Sequence, residues 1–167
     1  MKTLVIHPYD QTTDFLKVVY EGTDWTVINI NTSKKVLLEG IKDHDHIIMM
    51  GHGSPYGLLG YGRYYIDSTY VYLLREKQCT CIWCNADEFV QKYKLKGLYT
   101  GMIISEVEEA YNYCVKATYT DIWESNRMFA DAVKEALQCP EPLSTMKALY
   151  EGETPVIMFN KERMYYI

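Results

Sequence analysis

The feature that most limits how this chain folds is the alternation of short apolar runs with segments of helical period. That pattern favours a mostly parallel sheet covered by helices on both faces. It predicts strands at Thr3-Ile6, Thr26-Ile30, His46-Met50, Cys79-Trp83, Leu98-Ile103 and Pro155-Phe159. Helices are expected from Thr12 or Thr13 to Tyr20, stopping at Gly22, and from Ser33 to near Gly40, each opened by a hydroxyl cap. Further helices are expected at Ser68-Lys77, Ala86-Tyr93, Glu106-Val115, Asp121-Gln138, with Asp121 as cap, and Ser144-Tyr150. Asn160-Lys161-Glu162 reads as a turn joining the last strand to a final hairpin with Arg163-Ile167. The expected fold class is α/β, a three-layer, doubly wound, six-stranded sheet of flavodoxin-like type. The Gly/Tyr-rich stretch from Gly57 to Ile66 adds a small hairpin or flap after the third strand.

One domain accounts for the whole length. A chain of 167 residues buries roughly 70% of its unfolded surface on folding, and the sequence holds no long linker, repeat or low-complexity tract. Apolar residues form 48% and charged residues 23% of the chain, which excludes disordered, collagen-like and coiled-coil classes. A net charge of -5 argues against a broad phosphate-neutralising face, so no nucleic-acid partner is expected. The five cysteines are an odd number, with Cys79, Cys81 and Cys84 crowded together, and read as reduced thiols. The apolar run after Met1 is too short for a signal peptide, and no segment approaches the about 18 residues of a membrane span. A cytoplasmic location and no membrane partner are the expectation.

In an open parallel sheet, ligands bind beyond the carboxyl ends of the strands. Those ends carry His7-Pro8-Tyr9-Asp10, Gly51-His52-Gly53-Ser54, Cys84-Asn85-Ala86-Asp87 and Ser105-Glu106. His52 and Cys84 form the sharpest pair, because a thiol attacks a carbonyl as thiolate and a nearby imidazole can take its proton or protonate the leaving group. Cys84 stands just before a helix, whose N-terminus favours the thiolate. Gly53 lets a substrate approach the backbone, and its N–H is a candidate oxyanion donor. Asn85, Ser54, Glu106, His7, Asp10 and Tyr56 are the candidate substrate-binding residues around that pair.

A hydrophobic strand followed by His-Gly (Ile47-Ile48-Met49-Met50-Gly51-His52-Gly53), then a second hydrophobic strand ending in Cys (Cys81-Ile82-Trp83-Cys84), resembles the caspase-like cysteine peptidases in order and separation. That group includes caspases, gingipains, legumains, clostripain, separase and the CHAT-domain peptidases. The resemblance is detailed over the middle third of the chain. It implies a dyad after adjacent strands of a parallel sheet, with His52 as general acid/base, Cys84 as nucleophile and Gly53 N–H at the oxyanion. It implies a peptide or other small acyl or amide substrate, and no cofactor.

The residues taken alone leave other readings open. Cys79 and Cys81 share one face of a strand and suit a core. Cys81-x-x-Cys84 has the spacing of a redox pair or half a zinc site, but no second Cys/His pair follows. His52 also suits a structural role in a Gly-rich turn, and His7 and Asp10 suit a strand-end turn and a helix cap. Tyr56, Tyr61, Tyr64 and Tyr65 serve equally as ring platforms for a ligand or as the packing of the flap. A non-catalytic module holding a nucleotide or small molecule in the same crevice is the alternative function, and an interaction protein that keeps the sheet without the chemistry is a third.

Overall fold

A computed structural model describes Met1–Ile167. In chain order the elements are β1 (Thr3–Ile6), a 3-10 helix (Gln11–Val19), β2 (Thr26–Ile28), α1 (Lys34–Asp43) and β3 (His46–Met50). A small hairpin unit follows, β4 (Gly53–Ser54), β5 (Gly57–Gly60) and β6 (Arg63–Ile66), then a short 3-10 turn at Ser68–Tyr70 leading into α2 (Val71–Leu74). The remainder is β7 (Gln78–Ile82), α3 (Ala86–Tyr93), β8 (Lys96–Thr100), α4 (Val107–Asn112), α5 (Tyr119–Ala136), α6 (Pro142–Leu149), α7 (Pro155–Lys161) and β9 (Met164–Tyr166).

The main sheet has six strands in the order β2-β1-β3-β7-β8-β9, and β4-β5-β6 form a separate antiparallel sheet. All pairings in the main sheet are parallel except β8 with β9. β1 and β3 are buried along their whole length, which is why they read as unbroken apolar runs. Successive side chains then divide between two layers. Val5, Ile48, Met50, Ile82 and Leu98 pack with Leu16, Phe129, Met146 and Val156 from the first 3-10 helix, α5, α6 and α7. Leu4, Ile6, Ile47, Met49, Cys79 and Cys81 face the other way, onto Leu37, Ile41, Leu74 and Phe89 from α1, α2 and α3. Cys79 and Cys81 share this second layer as buried thiols.

The hairpin after the third strand is present where the Gly/Tyr stretch placed it. Gly57 has φ 144°, and a Cβ there would come within 2.0 Å of the Ile66 carbonyl oxygen, so the tight crossing of β4, β5 and β6 requires glycine. Tyrosine hydroxyls pin the hairpin to the sheet's edge: Tyr65 donates to the Ile30 carbonyl at 2.7 Å and Tyr61 to the Asn29 carbonyl at 2.6 Å.

Several boundaries differ from expectation. Pro155–Phe159 is not a strand but the start of α7. Thr154 caps Ile157 N–H at 3.4 Å and Pro155 occupies the first turn, signals that outweigh a short apolar run equally compatible with either structure. The sixth strand is instead β9, paired antiparallel with β8 through Leu98 and Tyr166, so Arg163–Ile167 joins the main sheet and forms no hairpin with the segment before it. β8 ends at Thr100, and the following chain peels away. Asn160, buried, fastens it by accepting from Ile104 N–H at 2.8 Å and donating to the Ile104 carbonyl at 2.9 Å. The first helix is 3-10, capped by Asp10 rather than by a threonine. Thr118, not Asp121, caps α5, and Asp121 completes the reciprocal capping box. α4 is shorter than Glu106-Val115, and only Val71–Leu74 of Ser68-Lys77 is α-helical. No helix is long and apolar enough to cross a membrane.

Two histidines lie inside this frame. Burial pushes both His7 and His46 down to about 4 from the ordinary 6.5. Between those values the unfolded chain binds protons that the folded chain refuses, so stability rises with pH across the window. The contribution is complete above about pH 6.5 and is lost as pH falls towards 4, amounting to about 3 kcal/mol per histidine at the limit. Urea titrations should therefore show the unfolding midpoint falling from pH 7 to pH 4.5, with a flatter profile in His46→Gln. An equal slope in that variant would contradict the assignment.

Candidate functional site

Because β3 and β7 lie side by side and parallel, their carboxyl ends open into one crevice, and the end of β1 lies beside it, against the other side of His52. Register carries this through: Ile6 pairs with Met49 and Met50 with Ile82, and Gly51 N–H donates to the Ile82 carbonyl at 3.0 Å. The chain turns at once beyond each strand. Gly51 has φ 144°, a conformation L side chains rarely adopt, and Asn85 has φ 64°, which asparagine tolerates better than most residues. These turns put His52 and Cys84 on the walls of one cavity of about 30 Å³, with Phe15, Ile103, Ser105 and Phe129 around them. That volume suits a single water-sized group.

His52 is half-exposed, and its Nε2 lies 2.6 Å from Thr12 Oγ1 and 3.4 Å from Asp10 Oδ1. Asp10 Oδ1 also accepts from Thr12 N–H at 2.9 Å and from the Thr12 hydroxyl at 2.5 Å. These bonds, that from the hydroxyl foremost, hold the Asp10 carboxyl below the usual carboxylate range. Asp10 thus serves as both the cap of the first 3-10 helix and a neighbour of the imidazole.

Cys84 has different partners. Its thiol lies 3.5 Å from the Ile103 carbonyl and 3.7 Å from Glu109 Oε2, and no hydrogen bond joins it to His52. Burial, and next the Glu109 charge, push the thiol up to about 12. The lowering expected from the N-terminus of α3 is outweighed, because desolvation and a nearby carboxylate both oppose the thiolate. Glu109 is itself held by Ser105, whose N–H and hydroxyl donate to Oε1 at 3.2 and 3.0 Å. Glu106 opens α4 without a side-chain cap, and its carboxyl is raised by burial and by Glu109.

Gly53 sits under an aromatic floor. A Cβ on it would lie 2.1 Å from Trp83 Cδ1, so the indole packs against bare backbone, and Trp83 Nε1 donates to the Ser54 carbonyl at 3.0 Å. Leu59 N–H donates to the His52 carbonyl at 2.8 Å, so by the alternation of an antiparallel ladder the adjacent Gly53/Leu58 pair is the unbonded one. The Gly53 N–H accordingly points away from β5.

The remaining candidates divide. His7 is buried beneath the 3-10 helix with Nδ1 3.1 Å from the Tyr20 hydroxyl and Nε2 3.2 Å from Thr13 Oγ1, so both nitrogens are engaged and it does not line the crevice. Ser54 Oγ is 2.8 Å from the Tyr64 hydroxyl and accepts from Tyr56 N–H, which commits it to the hairpin. Tyr56 is exposed, its ring edge-on to Tyr64. Asn85 is partly exposed and makes no cap bond to α3. A second hollow of about 190 Å³ lies on the other side of His52, between Tyr9, Asp10 and Tyr61. The largest hollow, about 480 Å³, is at the opposite end of the sheet among Lys2, Asp24, Asp43 and His44. It is lined by no thiol, and both His44 nitrogens are bonded, to the Gly40 carbonyl and Thr26 Oγ1. No group of three or more His, Cys, Asp or Glu is placed to hold a metal ion.

Thr12, Ser105 and Glu109 were not singled out by the sequence. Asp10-x-Thr12 carries a signal for a local side-chain turn, but Glu109 meets Cys84 only through tertiary packing. No family model, curated protein or solved structure matches the chain.

The Glu109 contact has a direct consequence for reactivity. At pH 8, iodoacetamide should modify Cys84 more slowly than exposed Cys114, and Glu109→Gln should accelerate the Cys84 reaction on the order of tenfold by removing the opposing charge. Site-resolved mass spectrometry reads both rates, and an unchanged rate in the variant would show that the carboxylate does not restrain the thiol.

Proposed function

We propose that this chain is a caspase-like cysteine hydrolase acting on a peptide or other small acyl or amide compound. The observation that supports it best is that His52 and Cys84 leave adjacent parallel strands, β3 and β7, and wall one cavity. This is the juxtaposition that the motif resemblance requires. In the reaction, Cys84 Sγ gives its proton to His52 and adds to the acyl carbon. The Gly53 N–H faces the oxyanion. His52 then protonates the leaving amine or alcohol, and water cleaves the resulting thioester with His52 as base.

For attack, Sγ must exchange Glu109 and the Ile103 carbonyl for the imidazole, a change that substrate entering the crevice drives by displacing the thiol from its present partners. A second reading rests on the same contacts. The bond of Cys84 to Glu109, and not to His52, favours a non-catalytic module that holds a nucleotide or small molecule in this crevice.

A panel of fluorogenic peptide amides and esters separates the two. The hydrolase reading predicts turnover that is abolished in Cys84→Ala and reduced roughly 100- to 10,000-fold in His52→Ala. Turnover indifferent to both substitutions, or none together with ligand binding of unaltered affinity in Cys84→Ala, would replace it with the binding module.

A further inference from the structure

We infer that Asp10 and Thr12 are positioning residues for His52, holding its ring with Nε2 protonated so that Nδ1 is the atom that exchanges the proton with Cys84. The inference follows from counting hydrogens. The Thr12 hydroxyl has one proton, and Asp10 Oδ1, 2.5 Å away, can only accept while ionised. That proton is therefore given to Asp10. Thr12 Oγ1 then has only lone pairs to offer His52 Nε2, 2.6 Å away, so the nitrogen must be the donor. The reverse assignment would set two acceptor oxygens against each other within hydrogen-bond distance. Asp10 Oδ1, 3.4 Å from the same nitrogen, adds negative charge on the side of the N–H.

Nothing in the protein bonds Nδ1. A neutral imidazole has one donor and one acceptor nitrogen, so fixing the proton on Nε2 makes Nδ1 the acceptor by elimination. The Asp10–Thr12–His52 chain thus supplies the orienting third group that a nucleophile–base pair uses, contributed from the end of β1 while the pair itself comes from β3 and β7. Asp10 is well suited to this, since its carboxylate is already fixed by Thr12 N–H as a helix cap. Its assignment as a substrate contact gives way to a role behind the imidazole.

The inference rests on the dyad reading, but its test needs no substrate. In protein carrying nitrogen-15 histidine, the ring nitrogens of His52 report the tautomer directly. The expected result is a bonded proton on Nε2 in the wild type and in Cys84→Ala, lost to fast exchange in Thr12→Val and restored in Thr12→Ser. Thr12→Val keeps the backbone N–H that Asp10 uses as cap. The proton on Nδ1 in the wild type would overturn the inference without any variant, as would an Nε2 proton signal unchanged in Thr12→Val and Asp10→Asn alike. A chain with this signature and no hydrolytic activity loses the hydrolase reading alone. A hydrolase whose His52 carries its proton on Nδ1 loses the positioning role alone.

Discussion

The pairing of His46–Met50 with Gln78–Ile82 is the constraint on which the rest depends. Both strands are central in the sheet and flanked by apolar layers on each face. A shift of one residue would turn Ile47, Met49, Cys79 and Cys81 out of one layer and Ile48, Met50 and Ile82 out of the other. The different side chains packed in the two layers hold the register, and the register fixes how far along the sheet each chain escapes. Gly51 and Asn85 then turn the escaping chain in conformations that few residues accept. The side-by-side placement of an imidazole and a thiol is a product of core packing as much as of the site's own chemistry.

The two sides of that crevice differ in their electrostatics. On the β1 side, the Asp10 carboxylate accepts from the Thr12 hydroxyl and stands 3.4 Å from the His52 imidazole. On the β8 side, Glu109 and the burial of Cys84 favour the protonated thiol. The segment leading into α4, the helix that carries Glu109, is fastened: the Ser105 carbonyl accepts from Asn126, and Ile104 is tied to Asn160 through both of its backbone groups. In the proposed reaction, proton transfer from Cys84 to His52 works against the burial and the Glu109 charge that favour the thiol.

Much of this was legible in the sequence. Unbroken apolar runs placed β1, β3 and β7 to within a residue, since double burial leaves a strong signal, and the capping residue Ser33 and the glycines of the flap marked their turns. Pro155–Phe159 misled because Val156, Ile157 and Phe159 suit a buried strand as well as a buried helix face, and the decision lay with Thr154 and Pro155. His52 and Cys84 were singled out from their place after strands, and the structure sets both on the walls of one cavity. His7, the residue directly after β1, carried the same signal but is buried, because the 3-10 helix folds back over it. Glu109 was not legible, since its meeting with Cys84 depends on how α4 docks, a matter of tertiary geometry and not of local pattern.

The proposed hydrolase reaction requires that a substrate in the crevice couple Cys84 to His52. The rate of Cys84 modification by a peptidyl acyloxymethyl ketone, compared with that by iodoacetamide, tests it most directly in the wild type and in His52→Ala. Losing His52 should slow the peptidyl reagent, whose ketone must seat beside Cys84 as a substrate carbonyl would, and leave the small reagent unaffected. Rates of both reagents that are independent of His52 would contradict it.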